Sequence, residues 1–491
     1  MTSRTSNGAP EAGVSVAGTL EEDAPQSTGR LVPMIIGAAL FMQTLDATVI
    51  SNALPTMARS LRSDPITLNL AITAYLVTAA VFLPISTWVA DRFGAKHVFR
   101  VAIAGFAISS MFCGMADTLG EIVLARMAQG LASALMLPVG RLVLLRTVPK
   151  SQLVRAMSYL TMPALLGPVL GPPIGGFIVT FADWRWIFWI NLPIGALGLV
   201  LCSLYIPNIR ELGHKPLDWR GFFLSGCGMA GLVYGFDNLG RNVLPFAVVA
   251  AMLGGGILCA LLYVGHARRT EHPILDLSLL KIRTFTAASV GGLFSRIIIG
   301  ASPFLLAMLL QVGFGLTAFE AGLLTFAGAV GALAMKVTAQ PIIQRFGFRT
   351  ILTANALIVA VLSGCYALFT ASTPHWLLIS TLLVGGFFRS LQFTALNALG
   401  YADVPEELMS RASSLSSMFQ QLARSLGVGL GASLIHNTMV WNGSTHATTA
   451  DIAPAFAFVA LISLVGLFFY GTLPKDAGAE VSGRRLARAA G

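Results

Sequence analysis

Long apolar runs repeat along almost the whole 491-residue chain and constrain its fold more than any other feature. We identify fourteen of them, at residues 31–54, 67–90, 98–116, 120–144, 154–180, 185–206, 218–238, 244–265, 285–311, 317–338, 350–370, 376–400, 412–438 and 453–473. Each is long enough to cross a hydrocarbon core about 30 Å thick. Only 11% of the residues are charged, against roughly 25% in soluble proteins. The pattern predicts an all-α polytopic membrane protein with fourteen transmembrane helices.

The basic residues predict how these helices are oriented. An even number of spans places both termini on one side, and the loops after odd-numbered segments hold only Arg59, Arg62, Arg185 and Arg241. Because Lys and Arg concentrate in cytoplasmic loops, we expect both termini to lie in the cytoplasm and the protein to lie in the inner membrane. Residues 1–30 lack an apolar core and predict a disordered cytoplasmic tail, and residues 475–491 predict a basic one. The net charge of +10 follows from this loop bias, so no nucleic-acid partner is expected.

Two short loops echo one another and indicate an internal duplication. The loop after segment 2 contains Asp91, Arg92, Gly94 and Lys96, and the loop after segment 10 contains Arg345, Gly347 and Arg349 in a shared R-F-G-x-K/R pattern. The repeat predicts two six-helix bundles, at residues 31–206 and 284–474, joined by two linker helices within 207–283. Repeat-built bundles that face each other across a central site are typical of transporters.

Several motifs resemble those of the major facilitator superfamily, and within it the fourteen-helix drug:proton antiporters of the EmrB/QacA-like branch. The loop from Asp91 to Lys96 resembles motif A, and the run from Arg126 to Gly130 resembles motif B. Segment 5 resembles the antiporter motif C through Gly167, Pro168, Gly171, Pro172, Gly175 and Gly176. The run from Leu137 to Arg141 and the arginine of segment 9 are similar to the MdtD-type exporters of this branch. The resemblance implies a cytoplasmic gate at motif A, a role for Arg126 in proton coupling, and antiport.

Asp46 is the one carboxylate that falls clearly inside a predicted span. An ionised acid at this depth is costly, and such residues mark ion or proton pathways. We therefore expect Asp46, assisted by Arg126, to carry the coupling proton. The alternative is an Asp that stays paired with an arginine for structural reasons. Segment 5 leaves a similar choice between close packing of small residues and a pliable, proline-kinked helix at a moving interface, which we favour.

Arginines outnumber acids inside the predicted spans. Arg296, Arg389 and Arg424 lie near mid-membrane in the second half, where guanidinium groups must line a wet cavity or find a partner. We assign these three to the substrate cavity together with Gln43, Gln311 and Gln392. Because arginine stays charged and matches carboxylate or phosphate geometry, the excess favours an anionic or zwitterionic substrate. The alternative is that the arginines satisfy backbone carbonyls at helix breaks.

The function predicted from these features is proton-driven export of drugs or other small amphipathic molecules by alternating access. A specific exporter of an anionic metabolite, such as an organic acid or a siderophore-like chelate, is the first alternative. The second is a non-transporting membrane sensor or scaffold. No phosphate-binding loop for ATP is present, and the sequence predicts neither an enzyme, a cofactor nor a metal site. The expected partners are the lipid bilayer, protons and a small-molecule substrate. We expect a monomer, with an envelope-spanning efflux partner left open.

Overall fold

The apolar segments form helices throughout the part of the chain that the structure describes. This computed structural model describes residues 28–61, 65–207, 216–239, 244–316, 318–444 and 447–482, and no strand occurs among them. Most of the predicted N-terminal tail (1–27), residues 208–215 and 240–243 of the linker region, and residues 483–491 of the C-terminal tail lie outside the described residues.

The helices follow one another with short connections. Those of the first half are α1 (Thr28–Ser60), α2 (Pro65–Phe82), α3 (Ser86–Phe93), α4 (Ala95–Met115), α5 (Leu119–Thr147), α6 (Leu153–Phe181), α7 (Trp186–Trp189) and α8 (Asn191–Tyr205). Two further helices, α9 (Trp219–Asn238) and α10 (Phe246–Ala267), precede the second half. The second half contains α11 (Arg283–Thr286), α12 (Gly292–Ala307), α13 (Ala318–Phe346), α14 (Phe348–Cys365), α15 (His375–Leu399), α16 (Met409–Asn442), α17 (Thr449–Ser463), α18 (Gly466–Gly471) and α19 (Ala479–Ser482).

Each predicted apolar segment coincides with helical structure, because a bilayer offers the backbone no other hydrogen-bonding partner. Ten of the described helical stretches are long and apolar enough to cross a membrane by length and composition. Several segments are interrupted. A 3₁₀ turn at Leu83–Ile85 separates α2 from α3, and π-helical turns at Ala287–Gly291 and Met308–Gly313 flank α12. The protein is therefore a multi-pass helical membrane protein whose helices include irregular turns.

The two R-F-G loops adopt the same backbone geometry. In the first, α3 ends at Phe93 and α4 begins at Ala95, with Gly94 between them at φ +91°. In the second, α13 ends at Phe346 and α14 begins at Phe348, with Gly347 at φ +77°. Residues that carry a side chain rarely adopt such φ angles, so glycine is favoured at both turns. Residues beside both turns belong to the same buried cluster, which places the two turns at one end of the bundle, called here the turn end.

Among the described residues, the largest buried cluster joins the two halves directly, and it lies at the turn end. There, buried residues of both halves, including Phe99 and Phe348, belong to one cluster. Toward the opposite end the described core separates into two clusters. One contains only residues of the first half, such as Val49 and Trp184, and the other only residues of the second half, such as Leu305 and Ile452. The halves are therefore packed together at the turn end and apart toward the other.

The linker helix α9 packs against both halves. It contacts α2 and α16, with Met229 and Val233 buried against Ala80 and beside Met418. The segment after α10 is tied to α16 by an ion pair of 2.9 Å between Arg411 Nη1 and Asp276 Oδ2. Burial alone would raise the pKa of Asp276, but hydrogen bonds from Ser278 and the Arg411 guanidinium outweigh burial and hold this pKa below its usual value. The segment after α10 is thus attached to the second half.

Candidate functional site

A buried ion pair between Asp46 of α1 and Arg126 of α5 forms the centre of the first half. Arg126 Nη1 lies 2.6 Å from Asp46 Oδ2, and Asp46 is 3% exposed and Arg126 1% exposed. Gln129 Nε2 and Asn191 Nδ2 each donate to Asp46 Oδ1 at 3.1 Å. Arg126 also donates to Gln129 Oε1 at 2.6 Å. Three helices, α1, α5 and α8, therefore converge on a single carboxylate.

These contacts compensate the cost of burying charge. A buried ion pair is tolerated only when further hydrogen bonds satisfy its remaining polar atoms, and Gln129 and Asn191 supply them here. Asn191 is itself held by Ser110 at 2.9 Å. The ring of Tyr75 lies 4.4 Å from the Arg126 guanidinium carbon, a cation–π distance. Removal of the Asp46 charge would leave Arg126 with only neutral partners among these residues.

The motif C helix α6 packs closely on α1 on either side of Asp46. A Cβ atom added at Gly167 or Gly171 would overlap Thr44 or Thr48. The same threonines donate to backbone carbonyls of α6, with Thr44 Oγ1 3.0 Å from Ala164 O and Thr48 Oγ1 3.3 Å from Gly167 O. Helix α6 runs unbroken from Leu153 to Phe181; the side chains of Pro168 and Pro172 lie outside those described. The close packing that the small residues allow is present, and a pliable α6 stays a prediction.

We expect Gly171→Ala to lower the free energy of unfolding of the purified protein by about 1–3 kcal/mol, and with it the melting temperature. The new methyl group overpacks the contact with Thr48. Adding Thr48→Ala in the same chain should restore most of this loss. Gly254→Ala in α10 is the matched control, since no atom lies within 4 Å of the position that its new methyl group would take. Equal melting temperatures for Gly171→Ala and Gly254→Ala would contradict close packing of α6 on α1.

Further hydrogen-bonded polar residues lie in both halves. In the first half, the Tyr75 hydroxyl lies 2.6 Å from Ser133 Oγ, and Gln43 Nε2 donates to the same oxygen at 2.5 Å. In the second half, Arg424 of α16 is exposed and donates to Gln421 Oε1 at 2.8 Å. Arg424 is therefore an exposed arginine of the second half, unlike the buried Arg296.

The other two predicted arginines lie inside the second half. Arg296 is 3% exposed; it donates to Ala288 O at 2.9 Å, within the first π-helical turn, and to Asn397 Oδ1 at 3.2 Å. This is the carbonyl-satisfying arrangement that the sequence left open as an alternative. Arg389 lies 3.5 Å from Ser302 Oγ. It shares with Gln392 a cavity of about 10 Å³, room for roughly one water molecule.

The six residues predicted for the substrate cavity therefore divide by location. Gln43 is bound to Ser133 in the first half and Arg424 is exposed on α16, whereas Arg296, Arg389 and Gln392 lie among the helices of the second half. Gln392 is buried and accepts from Asn355 at 2.8 Å. Gln311 is exposed in the second π-helical turn, beyond α12. The structure does not bring these residues into one pocket.

Lys336 is a buried cation that was not predicted from the sequence. It lies well inside α13, is 7% exposed, and donates to Thr394 Oγ1 of α15 at 2.6 Å. The predicted segment ends two residues later, at 338, whereas α13 continues to Phe346. Lys336 adds to the positive charge buried in the second half.

The motif A residues link helix ends at the turn end. Asp91 of α3 pairs with Arg146 of α5 at 3.5 Å, and Lys96 of α4 donates to Ser203 O of α8 at 2.8 Å. Arg92 lies over the ring of Trp88. In the second loop, Arg345 lies over the ring of Phe346, and Arg349 is partly exposed. The contacts of the first loop join helices within the first half.

Three residues around Asp46 were not predicted as site residues. Gln129 lies three positions after Arg126 and so on the same helix face, and Asn191 is a polar residue in an apolar segment; both signals were present in the sequence. Nothing in the sequence pairs Tyr75 with Arg126. Within the described ranges, no group of three His, Cys, Asp or Glu side chains is placed to hold a metal ion.

Comparison with known proteins agrees with this architecture. The sequence profile of the Major Facilitator Superfamily matches residues 36–428 and 288–489. The chain is 36% identical to the "Putative multidrug resistance protein MdtD" of Cronobacter sakazakii over 459 residues, covering 92% of this chain and 96% of that one. The protein of the same name from Escherichia coli O6:H1 is 34% identical over 471 residues, covering 95% and 99%.

Solved structures share the fold at low sequence identity. The proton:xylose symporter XylE superposes with a TM-score of 0.65 at 14% identity, covering 93% of this chain and 98% of that one. The human organic anion transporter MFSD10 superposes with a TM-score of 0.63 at 15% identity, covering 90% and 99%. The resemblance read from the motifs is confirmed.

Proposed function

The chain belongs to the major facilitator superfamily, and from this premise we propose that it exports drugs or other small amphipathic molecules in exchange for protons. It is a transporter with homologues named as multidrug resistance proteins, not an enzyme. The observation that carries the proton coupling is the buried Asp46–Arg126 pair, at 2.6 Å. Charged groups buried in spans mark ion and proton pathways in membrane proteins.

Proton coupling follows from what protonation does to this network. Ionised Asp46 accepts from Arg126, Gln129 and Asn191. A proton on Asp46 neutralises the carboxylate, removes the charge that holds Arg126, and turns one carboxyl oxygen into a donor. Arg126 lies against Tyr75, whose hydroxyl meets Ser133 and, through it, Gln43. We propose that Gln43 lies at the gap between the two halves. Protonation of Asp46 therefore changes the groups that a substrate in the gap meets.

We propose fourteen spans arranged as two six-helix bundles, at residues 31–206 and 284–474, with α9 and α10 as linker helices. The basic loops place the turn end and both termini in the cytoplasm of the inner membrane. The joined core at the turn end is then a closed cytoplasmic side, and the separated clusters toward the other end correspond to an outward-facing state. We propose a monomer, to which an envelope-spanning efflux partner would bind at the outer end.

Flux in proteoliposomes tests this function. The protein is reconstituted in sealed vesicles whose interior is more acidic than the outside. As protons leave down this pH gradient, ethidium should accumulate inside the vesicles against its concentration gradient. Collapse of the gradient with an uncoupler should abolish accumulation. A panel of cationic, neutral and anionic dyes with no gradient-dependent flux for any member would contradict the proposal, and would favour the non-transporting sensor or scaffold instead.

A second function, export of an anionic metabolite, is favoured by the charge of the second half. Arg296, Lys336, Arg389 and Arg424 lie at or near its interior, and the one acid that the predicted spans offered, Asp46, is already paired with Arg126. Arg424 is the exposed member of this set, and we propose that it faces the gap between the two halves. It would contact a carboxylate or phosphate directly.

We expect Arg424→Gln to lower flux of the anionic dye sulforhodamine B about tenfold or more, since hydrogen bonds to a charged group contribute about 1.5–3 kcal/mol. Ethidium flux should be unchanged or faster, because the variant removes a like charge. Arg155→Gln is the matched control, an exposed arginine of α6 that contacts Tyr159 of the same helix. Equal effects of Arg424→Gln on both dyes would exclude Arg424 as an anion-binding group.

A further inference from the structure

Arg141 of α5 joins the two halves at a buried position that the proton site does not use. It is 2% exposed. Its Nη1 donates to the Tyr401 hydroxyl at 3.2 Å and to Ser417 Oγ at 3.3 Å, and its Nη2 donates to Gln420 Oε1 at 3.3 Å. Tyr401 follows α15, and Ser417 and Gln420 lie on α16. One side chain of the first half therefore binds three residues of the second.

Two more hydrogen bonds cross the same interface. Ser413 Oγ of α16 donates to Pro138 O of α5 at 2.9 Å, and Ser414 Oγ lies 3.3 Å from Ser86 Oγ of α3. These contacts lie in the region where the buried core is shared between the halves. The small serine side chains of α16 let its backbone approach α5 closely. Polar and apolar contacts thus close the same end.

The three acceptors of Arg141 are neutral, which sets this contact apart from the motif A pair. Asp91–Arg146 is an ion pair between α3 and α5 of the first half. Arg141 instead donates hydrogen bonds to hydroxyl and amide groups across the halves, and water can replace such partners when the interface opens. The neutral acceptors offset part of the cost of burying the guanidinium while this end is closed, and the end opens without separating two opposite charges.

We propose that Arg141, with Tyr401, Ser417 and Gln420, is a latch that holds the turn end closed. The latch rests on the proposed function in one respect: a transporter that works by alternating access must open this end in each cycle. When it opens, Arg141 loses its three acceptors together, because all of them belong to the other half. The latch therefore favours the closed turn end, and the balance between the two states depends on its strength.

Hydrogen exchange measured by mass spectrometry on the purified full-length protein tests the latch. Arg141→Gln removes the charge, and Tyr401→Phe removes one acceptor while keeping the ring. We expect amide exchange in peptides covering 136–147 and 401–420 to become about tenfold faster in Arg141→Gln and several-fold faster in Tyr401→Phe. Peptides covering 116–125, at the opposite end, should not exchange faster. Arg155→Gln, an exposed arginine of α6, is the matched control.

Wild-type exchange at the turn end in both variants would overturn the latch, and so would faster exchange at both ends, which indicates general destabilisation. If Arg141→Gln does not fold, Tyr401→Phe and Gln420→Ala test the latch in its place: amide exchange should become faster at the turn end and stay unchanged at the opposite end. The result is independent of the flux measurements. A protein that transports but shows no change at the turn end refutes the latch alone, and a protein with faster turn-end exchange but no flux refutes the proposed function alone.

Discussion

Replacing Asp46 with Asn is expected to reduce proton-driven export to the level of protein-free vesicles while leaving substrate binding measurable. Asn has nearly the shape of Asp but cannot bind and release a proton in the working pH range. Its carbonyl oxygen can still accept from Arg126, while its NH2 group replaces the oxygen that accepts from Gln129 and Asn191, so the Asn191 amide must turn to accept from it. Arg126 then has only neutral partners, and we expect a folded protein of lower stability. Flux driven by a pH gradient in proteoliposomes, with ethidium binding measured in parallel, separates the two properties.

Asp117→Asn is the matched control for this experiment. Asp117 pairs with Arg185 at 2.7 Å, but its side chain is 81% exposed, so the same chemical change occurs outside the network. We expect export by Asp117→Asn to match wild type. Normal gradient-driven export by Asp46→Asn would show that the coupling proton is carried elsewhere, and would leave Asp46 a structural partner of Arg126.

The second large effect is expected from Arg126→Leu, which should destabilise the folded protein by about 3–5 kcal/mol. Removing one partner of a buried pair leaves an uncompensated charge, here the carboxylate of Asp46. The double variant Arg126→Leu with Asp46→Leu should recover much of the loss, because two apolar side chains leave no charge behind. Thermal unfolding of the detergent-solubilised protein measures both.

Arg185→Leu controls for loss of an ion pair as such. In its pair with Asp117 the carboxylate is 81% exposed and the arginine 21% exposed, so neither loss leaves a charge buried as fully as at Asp46, and exposed pairs contribute only about 0–1 kcal/mol. Similar unfolding temperatures for Arg126→Leu and Arg185→Leu would contradict a buried pair at the centre of the first half. A double variant less stable than Arg126→Leu alone would do the same, since it would show that the Asp46 charge is not the source of the cost.

Much of the fold was predictable because its main constraint is simple. A chain in a bilayer forms helices where apolar runs are long enough, and every predicted segment coincides with helical structure. The repeated R-F-G pattern also predicted two equivalent turns, and Gly94 and Gly347 both have positive φ angles. Hydropathy does not show where an α-helix gives way to a π-helical turn or where a helix ends. The π-helical turns beside α12 and the continuation of α13 from residue 338 to Phe346 could not be predicted from it.

The site was predictable in part for a different reason. Asp46 and Arg126 stand out because charge is rare inside a span, and the structure places them in contact. Depth alone could not distinguish the arginines of the second half, since their surroundings depend on how neighbouring helices pack. Arg424 is exposed, whereas Arg296 is buried and binds a backbone carbonyl in an irregular turn. Tyr75 lay beyond sequence reasoning, because aromatic residues are common in membrane helices and only packing places this one over Arg126.

Substrate-induced proton release from the purified protein tests the central claim most directly. Ethidium, or the dye with the largest flux in proteoliposomes, is titrated into the protein calorimetrically in two buffers of different ionisation enthalpy. We predict that wild type releases protons on binding and that Asp46→Asn binds with no release. Binding without proton release in wild type, or equal release from wild type and Asp46→Asn, would contradict proton exchange at Asp46.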